Sequence, residues 1–166
     1  MRILVLSDTH IPFTGKKLPS KVIEEAKKSD LCIHAGDFVE YSVFEELASY
    51  VRTYGVCGNM DNSEVSEKLP YRQIIEIDKI CIGVIHGRGA PRDLISFVNS
   101  NFRDQWNKID IFIFGHSHSP LNKKIGDKIY FNPGSVMDKL FAPYNSYGIL
   151  EIKVGEVNPK IVKLNI

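Results

Sequence analysis

The chain has 166 residues, 43% of them hydrophobic and 25% charged, with a formal net charge of +1. That length fits one domain, residues 1–166, able to bury roughly 70% of its unfolded surface without disulfide staples. The near-neutral balance excludes a global field for nucleic acid or an anionic membrane, so any preference for phosphate must come from a local site.

Residues 2–7 (RILVLS) read as a buried strand. Residues 19–28 read as a helix that starts at Pro19 and carries Val22, Ile23 and Ala26 on one face. A second strand (31–35), a helix (42–50) and a short strand (52–57) follow. Residues 72–77 and 79–85, separated by Asp78, suggest a hairpin; residues 91–100 suggest a helix and 109–114 a buried strand. From Lys123 onward short strands recur around turn signals at Gly126-Asp127, Pro133-Gly134 and Gly155. The front half is thus β-α-β-α-β and the back half mainly strands and hairpins. An α/β (α+β) fold would bury both textures: a four-layer αββα sandwich of two mixed β-sheets flanked by helices.

Cys32, Cys57 and Cys81 form no CxxC pair and sit in apolar runs, which reads as free buried thiols in a reduced, cytoplasmic chain. The run Ile3-Leu4-Val5-Leu6 is too short for a signal-peptide core, and no stretch approaches the ~20 apolar residues of a membrane span.

Side chains able to bind metal fall at strand ends. Asp8 and His10 follow strand 2–7, Asp37 follows strand 31–35 through Gly36, and Asn59 follows strand 52–57 through Gly58. His86 closes strand 79–85 before Gly87, and His116 and His118 follow strand 109–114 through Gly115. Strand ends along one edge of a sheet converge, and open α/β sheets place their sites there. Glycine beside a ligand permits a sharp turn and a close approach. A single Gly-Asp or Gly-Asn is more often a turn, but seven such residues in this order point to a metal site.

These blocks, D-x-H (Asp8, His10), G-D (Gly36, Asp37), G-N (Gly58, Asn59), H-G (His86, Gly87) and G-H-x-H (His116, His118), resemble the calcineurin-like metallophosphoesterases. The resemblance runs to about residue 136 through Asn132-Pro133-Gly134-Ser135, and is nearest to the small bacterial and archaeal phosphodiesterases without large caps. It implies that Asp8, His10 and His118 hold one divalent ion, that Asn59, His86 and His116 hold a second, and that Asp37 bridges them. It further implies a bridging hydroxide that attacks phosphorus in line, with Asp37 and Asn59 serving catalysis and Asn59 also contacting substrate. Carboxylate, amide and imidazole together suit Mn²⁺, Fe²⁺, Ni²⁺ or Zn²⁺, with Mn²⁺ favoured, and the lack of a thiolate argues against a closed structural zinc site.

One departure bears on the substrate. Where many members of the family have a histidine after G-N to protonate the leaving oxygen, this chain reads Gly58-Asn59-Met60-Asp61. Such proton donors typically contribute ~10²–10⁴-fold. The expected substrate is therefore a small phosphodiester or aryl ester rather than an alkyl monoester. Asp61 is a candidate substitute acid, against a turn role. Arg88 is a candidate phosphate contact. His34 reads as a buried strand histidine, Lys16 and Lys17 as a solvated pair. The apolar segment 136–145 could pack on the sheet, form a homodimer surface or cover the site. The chain also resembles the metallophosphoesterase-like subunit of retromer, in Asp8-Thr9-His10-Ile11-Pro12 and Leu18-Pro19, which makes a non-catalytic scaffold the main alternative. A nuclease lacks the basic stripe it would need, and a phosphomonoesterase is weakened by Met60.

Overall fold

The computed structural model describes residues 1–165. In chain order its elements are β1 (Arg2–Leu6), α1 (Ser20–Lys28), β2 (Leu31–His34), α2 (Tyr41–Tyr50), β3 (Thr53–Gly55), α3 (Ser63–Lys68), β4 (Arg72–Ile77), β5 (Ile80–Ile85), α4 (Leu94–Asn101), β6 (Ile111–Ile113), β7 (Leu121–Ile125), β8 (Lys128–Asn132), β9 (Ser146–Lys153) and β10 (Glu156–Lys163).

Alternation along β1 sets the layers, because successive side chains of a strand point to opposite faces. Leu4 and Leu6 pack against Val22 and Ala26 of α1 and Val43 and Leu47 of α2. Ile3 and Val5 face the other way, where Ile82 and Val84 of β5 and Ile111 and Ile113 of β6 meet them from a second sheet. On the far side of that sheet Cys81, Ile85 and Phe112 pack against Leu94, Val98 and Phe102. The layers run helix, sheet, sheet, helix, as the two textures of the sequence require.

The first sheet has the order β10-β9-β1-β2-β3 and the second β4-β5-β6-β8-β7. Within them β1, β2 and β3 are mutually parallel, as are β5, β6 and β8, while β9, β10, β4 and β7 run antiparallel to their neighbours. Parallel strands bring their C-terminal ends to one edge, which is where the candidate ligands lie. The 77–80 hairpin closes through Asp78 and Lys79, both at positive φ (47° and 71°), the backbone of a two-residue turn matched to strand twist.

Several elements differ from the sequence reading. The strand expected over 52–57 is only Thr53–Gly55, because Cys57 N–H leaves the sheet to donate to Pro70 O. The helix expected over 91–100 begins as a 3₁₀ turn at Pro91–Asp93. Helix α3 was not anticipated: its N-cap Asn62 accepts from Val65 N–H at 3.0 Å, but six residues are too few to display a helical period. Among the described residues no helix is long and apolar enough to cross a membrane.

His34 shows how the sheet carries polar groups. Gly36 N–H donates to its Nδ1 at 3.2 Å, so the ring proton sits on Nε2, which faces Thr9 Oγ1 at 3.2 Å. The ring stacks on Phe38 with centroids 3.6 Å apart. Burial pushes its pKa down to about 3; Asp8 and Asp37 pull the other way, and His86 and His10 reinforce the shift. The unfolded chain, with an ordinary imidazole, binds a proton that the fold does not, so this contribution is complete above about pH 6.5 and is lost as the pH falls toward 3. Urea titrations at pH 6 and pH 4 should show the unfolding free energy dropping by about 2 kcal/mol more in the native chain than in His34→Gln. Equal drops would mean His34 is charged in the fold.

Candidate metal centre

The seven candidate ligands come together at the shared edge of the two sheets. The loops carrying them are bonded to one another: Asp8 N–H to Gly36 O and His10 N–H to Asp37 O, both at 3.0 Å, and Gly115 N–H to His86 O at 2.7 Å. Five of the seven, Asp8 (φ 53°), His10 (49°), Asp37 (60°), His116 (71°) and His118 (56°), have left-handed backbone. Each such non-glycine residue costs roughly 1–2 kcal/mol, and strain of this kind gathers where side chains must be aimed.

Close approach explains the neighbouring glycines. A Cβ at Gly58 would lie 2.1 Å from Asp37 Oδ1, and one at Gly115 would lie 1.8 Å from Ser7 Oγ and 2.7 Å from Asp8 Oδ2.

Hydrogen bonding decides which atoms face inward. His86 Nδ1 donates to the carbonyl of Ala35 at 2.7 Å, so its Nε2 is the atom turned into the cluster, a lone-pair donor only once its own proton has left. That Nε2 is buried without a hydrogen-bond partner, 3.1 Å from Asp37 Oδ2 and 3.8 Å from Asp8 Oδ1. His118 Nδ1 donates to Asp138 Oδ2, which turns its Nε2 to within 3.2 Å of both His10 Nε2 and Asp8 Oδ1. His116 Nε2 donates to Gly89 O at 3.1 Å and leaves Nδ1 2.9 Å from Asn59 Oδ1. Nitrogen and oxygen ligand atoms thus crowd one another at several points around the cluster. Ligand atoms about 2.1 Å from one ion and at right angles lie about 3 Å apart, so this donor set fits divalent cations. Two groups of ligand atoms lie within 4.8 Å of one another: Asp8, His10 and His118, and Asp8, Asp37 and His86. His116 stands outside both and pairs with Asn59.

The electrostatics follow from burial. Asp8 and Asp37 are almost inaccessible to water. Burial alone would raise the pKa of Asp8, yet it lies well below the usual carboxylate range because His86, His10 and His118 face it. Asp37 is likewise lowered against its burial by His86 and the Met60 N–H. In return these carboxylates outweigh the burial of His86 and, with Asp138, of His118, raising both rings to about 9. His116 is lowered by burial and by His86.

Asp61 serves the backbone. Its carboxylate accepts from Gly58 N–H and Val39 N–H at 2.7 Å and from Asp37 N–H at 3.2 Å, while burial raises its pKa. It does not line the cleft over the ligands, so the turn role is the one the geometry supports. Arg88 is exposed, also off the cleft lining, and makes no hydrogen bond or ion pair among the described residues. Lys16 and Lys17 are exposed as expected.

Sequence reasoning passed over Asp138. Besides His118, its carboxylate accepts from the backbone N–H of Leu140 (2.8 Å), Phe141 (3.1 Å) and Ala142 (3.0 Å). A lone carboxylate inside the apolar run VMDKLF was the available signal. Ser135 Oγ donates to Asp8 O at 2.7 Å and Asn132 Nδ2 to Gly115 O at 2.9 Å, so the Asn-Pro-Gly-Ser turn braces both ligand loops. Above the ligands a cleft of about 380 Å³ is walled by Phe13, Met60, Leu140 and Phe141.

Gly58 is not in the left-handed region, so alanine there tests the approach of Asp37 alone. Gly58→Ala should weaken divalent-cation binding by about 10–100-fold in calorimetric titration, with the far-ultraviolet dichroism unchanged. Unaltered affinity would mean Asp37 is not held against this turn for a metal.

Comparison with known proteins agrees with this geometry. A family model described as the calcineurin-like phosphoesterase superfamily domain matches residues 1–155. A probable metallophosphoesterase of Methanothermobacter thermautotrophicus is 30% identical over 164 residues, 98% of this chain and 92% of that protein. A protein named a phosphodiesterase in Methanocaldococcus jannaschii is 24% identical over 149 residues, 81% of this chain and 83% of its own. The solution structure of a Thermotoga maritima protein superposes with a TM-score of 0.77 at 32% identity, covering 98% of this chain and 99% of that one. Zinc-complexed Vps29 of Entamoeba histolytica shares the fold at a TM-score of 0.75 and 23% identity, covering 99% and 100%. With both sheets, the strand-end donors and the family model in agreement, the chain belongs to the calcineurin-like phosphoesterase superfamily.

Proposed function

We propose that the chain is a cytoplasmic, metal-dependent phosphodiesterase acting on a small diester through two divalent ions. The observation that carries this reading is the convergence of inward-facing ligand atoms, above all the buried Nε2 of His86, 3.1 Å from Asp37 Oδ2 and 3.8 Å from Asp8 Oδ1. Asp8, His10 and His118 would hold one ion and Asn59, His86 and His116 the other. Asp37 is within reach of both sets, its Oδ2 3.6 Å from His10 Nε2 and 3.1 Å from His86 Nε2. Two such ions, when bound, neutralise phosphoryl oxygens and acidify water into a nucleophile at neutral pH.

The chain's own residues then choose the ester. Met60 follows Asn59 in the cleft wall and has no proton to give, and the Asp61 oxygens are engaged by backbone N–H groups. Leaving groups that depart without protonation are favoured, which selects diesters and aryl esters over alkyl monoesters. The phosphodiesterase name of the Methanocaldococcus relative supports the same choice. The cleft lining contains no lysine or arginine, which disfavours a polyanionic nucleic acid.

Metal-stripped protein reconstituted with Mn²⁺, Ni²⁺ or Zn²⁺ should cleave bis(p-nitrophenyl) phosphate faster than p-nitrophenyl phosphate, and Asp37→Ala should lose at least about 100-fold in rate. Met60→His should raise turnover of an alkyl monoester by about 100-fold. A native chain faster on the monoester would show that another group supplies the proton. Two bound ions with no turnover on either ester would make the chain a binding module.

A further inference from the structure

The geometry points to a seat for a neutral, planar aromatic arm of the ester, of about nucleobase size, formed by Phe13, Met60, Leu140 and Phe141 at the mouth of the metal centre. The inference rests on the proposed phosphoester chemistry and adds the class of group attached to phosphorus.

Large apolar side chains in solvent call for a reason when they cluster. Phe13 is 70% exposed, Met60 47%, Leu140 85% and Phe141 76%, and all four wall the one cleft that contains His10, Asp37, Asn59, His116 and His118. The Phe141 ring meets the His118 imidazole edge-on with centroids 6.2 Å apart. A group bonded to a phosphoryl centre at the ligands and lying along this cleft rests against these side chains. Aromatic faces reward a flat ring more than a chain, and about 380 Å³ holds one ring system beside a phosphate. With no lysine or arginine in the lining, a second phosphate or carboxylate on that arm would find neither an ammonium nor a guanidinium there.

The seat is held in register with the metal centre. One Asp138 carboxylate accepts from His118 Nδ1 and from the backbone of Leu140, Phe141 and Ala142, so the ligand and the two most exposed apolar walls share an anchor. Behind it Val136 and Met137 are buried in the core under the first sheet. The tip is thus tied to Asp138 by its own backbone, which lowers the cost of ordering it around a ligand.

The test compares phenyl p-nitrophenyl phosphate with methyl p-nitrophenyl phosphate, which share a leaving group, on reconstituted native protein and on Phe141→Ala. Calorimetric binding of phenylphosphonate and methylphosphonate runs alongside. Phe141 is exposed, so its truncation opens no core cavity. The native protein should prefer the phenyl compound about tenfold in KM and in phosphonate affinity, and Phe141→Ala should reduce that preference to about twofold. Equal affinity for phenylphosphonate and methylphosphonate, or equal losses for both phosphonates on truncation, would overturn the aromatic seat while the phosphoesterase stands. No turnover and no phosphonate binding would overturn the phosphoesterase reading itself. A concentration-dependent dimer abolished by Phe141→Ala, with no phenyl preference, would give the surface to a second copy and overturn the inference.

Discussion

Two carboxylates buried where the sheets meet, Asp8 and Asp37, are the constraint to which the rest of the structure answers. Removing a carboxylate from water costs several kcal/mol unless opposite charge and hydrogen bonds compensate. Here the compensation comes from both sheets at once. Ser7 Oγ donates to Asp8 Oδ2 at 2.6 Å, His116 N–H reaches the same oxygen at 3.1 Å, and the Met60 N–H donates to Asp37 Oδ1 at 2.8 Å. His86 and His118 supply charge that a cation would replace. Neither carboxylate would be tolerable on one sheet alone, so the packing of Ile3 and Val5 against Ile82 and Ile111 is also what keeps the centre electrically possible.

This constraint explains which parts of the molecule were legible in the sequence. The ligands were legible because parallel strands place their ends at one edge, and apolar runs ending in Gly-Asp, Gly-Asn or Gly-His mark those ends. The ligand side chains are spaced by topology, whereas the bracing is spaced by contact. Asp138 lies 20 residues from His118 and Ser135 lies 127 from Asp8, and nothing local announces either pairing. Strand limits were overdrawn for a related reason. Val56 and Cys57 are apolar enough for a strand, but the chain must leave the sheet there so that Gly58 can pass within reach of Asp37.

The Asn59-Met60-Asp61 turn divides its work among adjacent residues. Asp61 pins the Gly58 turn to the Asp37–Val39 turn through three N–H groups, Met60 contributes a backbone N–H to Asp37, and Asn59 is left to face His116. A carboxylate that accepts three backbone donors stabilises its ionised form, against the burial that raises its pKa. Those donors occupy both Asp61 oxygens, and the side chain does not line the cleft. Its position next to the candidate ligands is therefore explained without giving it a proton-transfer role.

Segment 136–145 shows how one loop can belong to the core and to the solvent. Val136 and Met137 satisfy the expectation of packing beneath the sheet, while Leu140 and Phe141 forgo burial that would each be worth about 2 kcal/mol. Asp138, at the boundary, prevents the loop from relaxing inward, because collapse would strip its carboxylate of three N–H donors and release His118. The exposure of Leu140 and Phe141 is in this sense enforced by the metal centre. The charge cluster at the sheet edge is thereby joined, through the one side chain of Asp138, to an apolar surface on a loop outside both sheets.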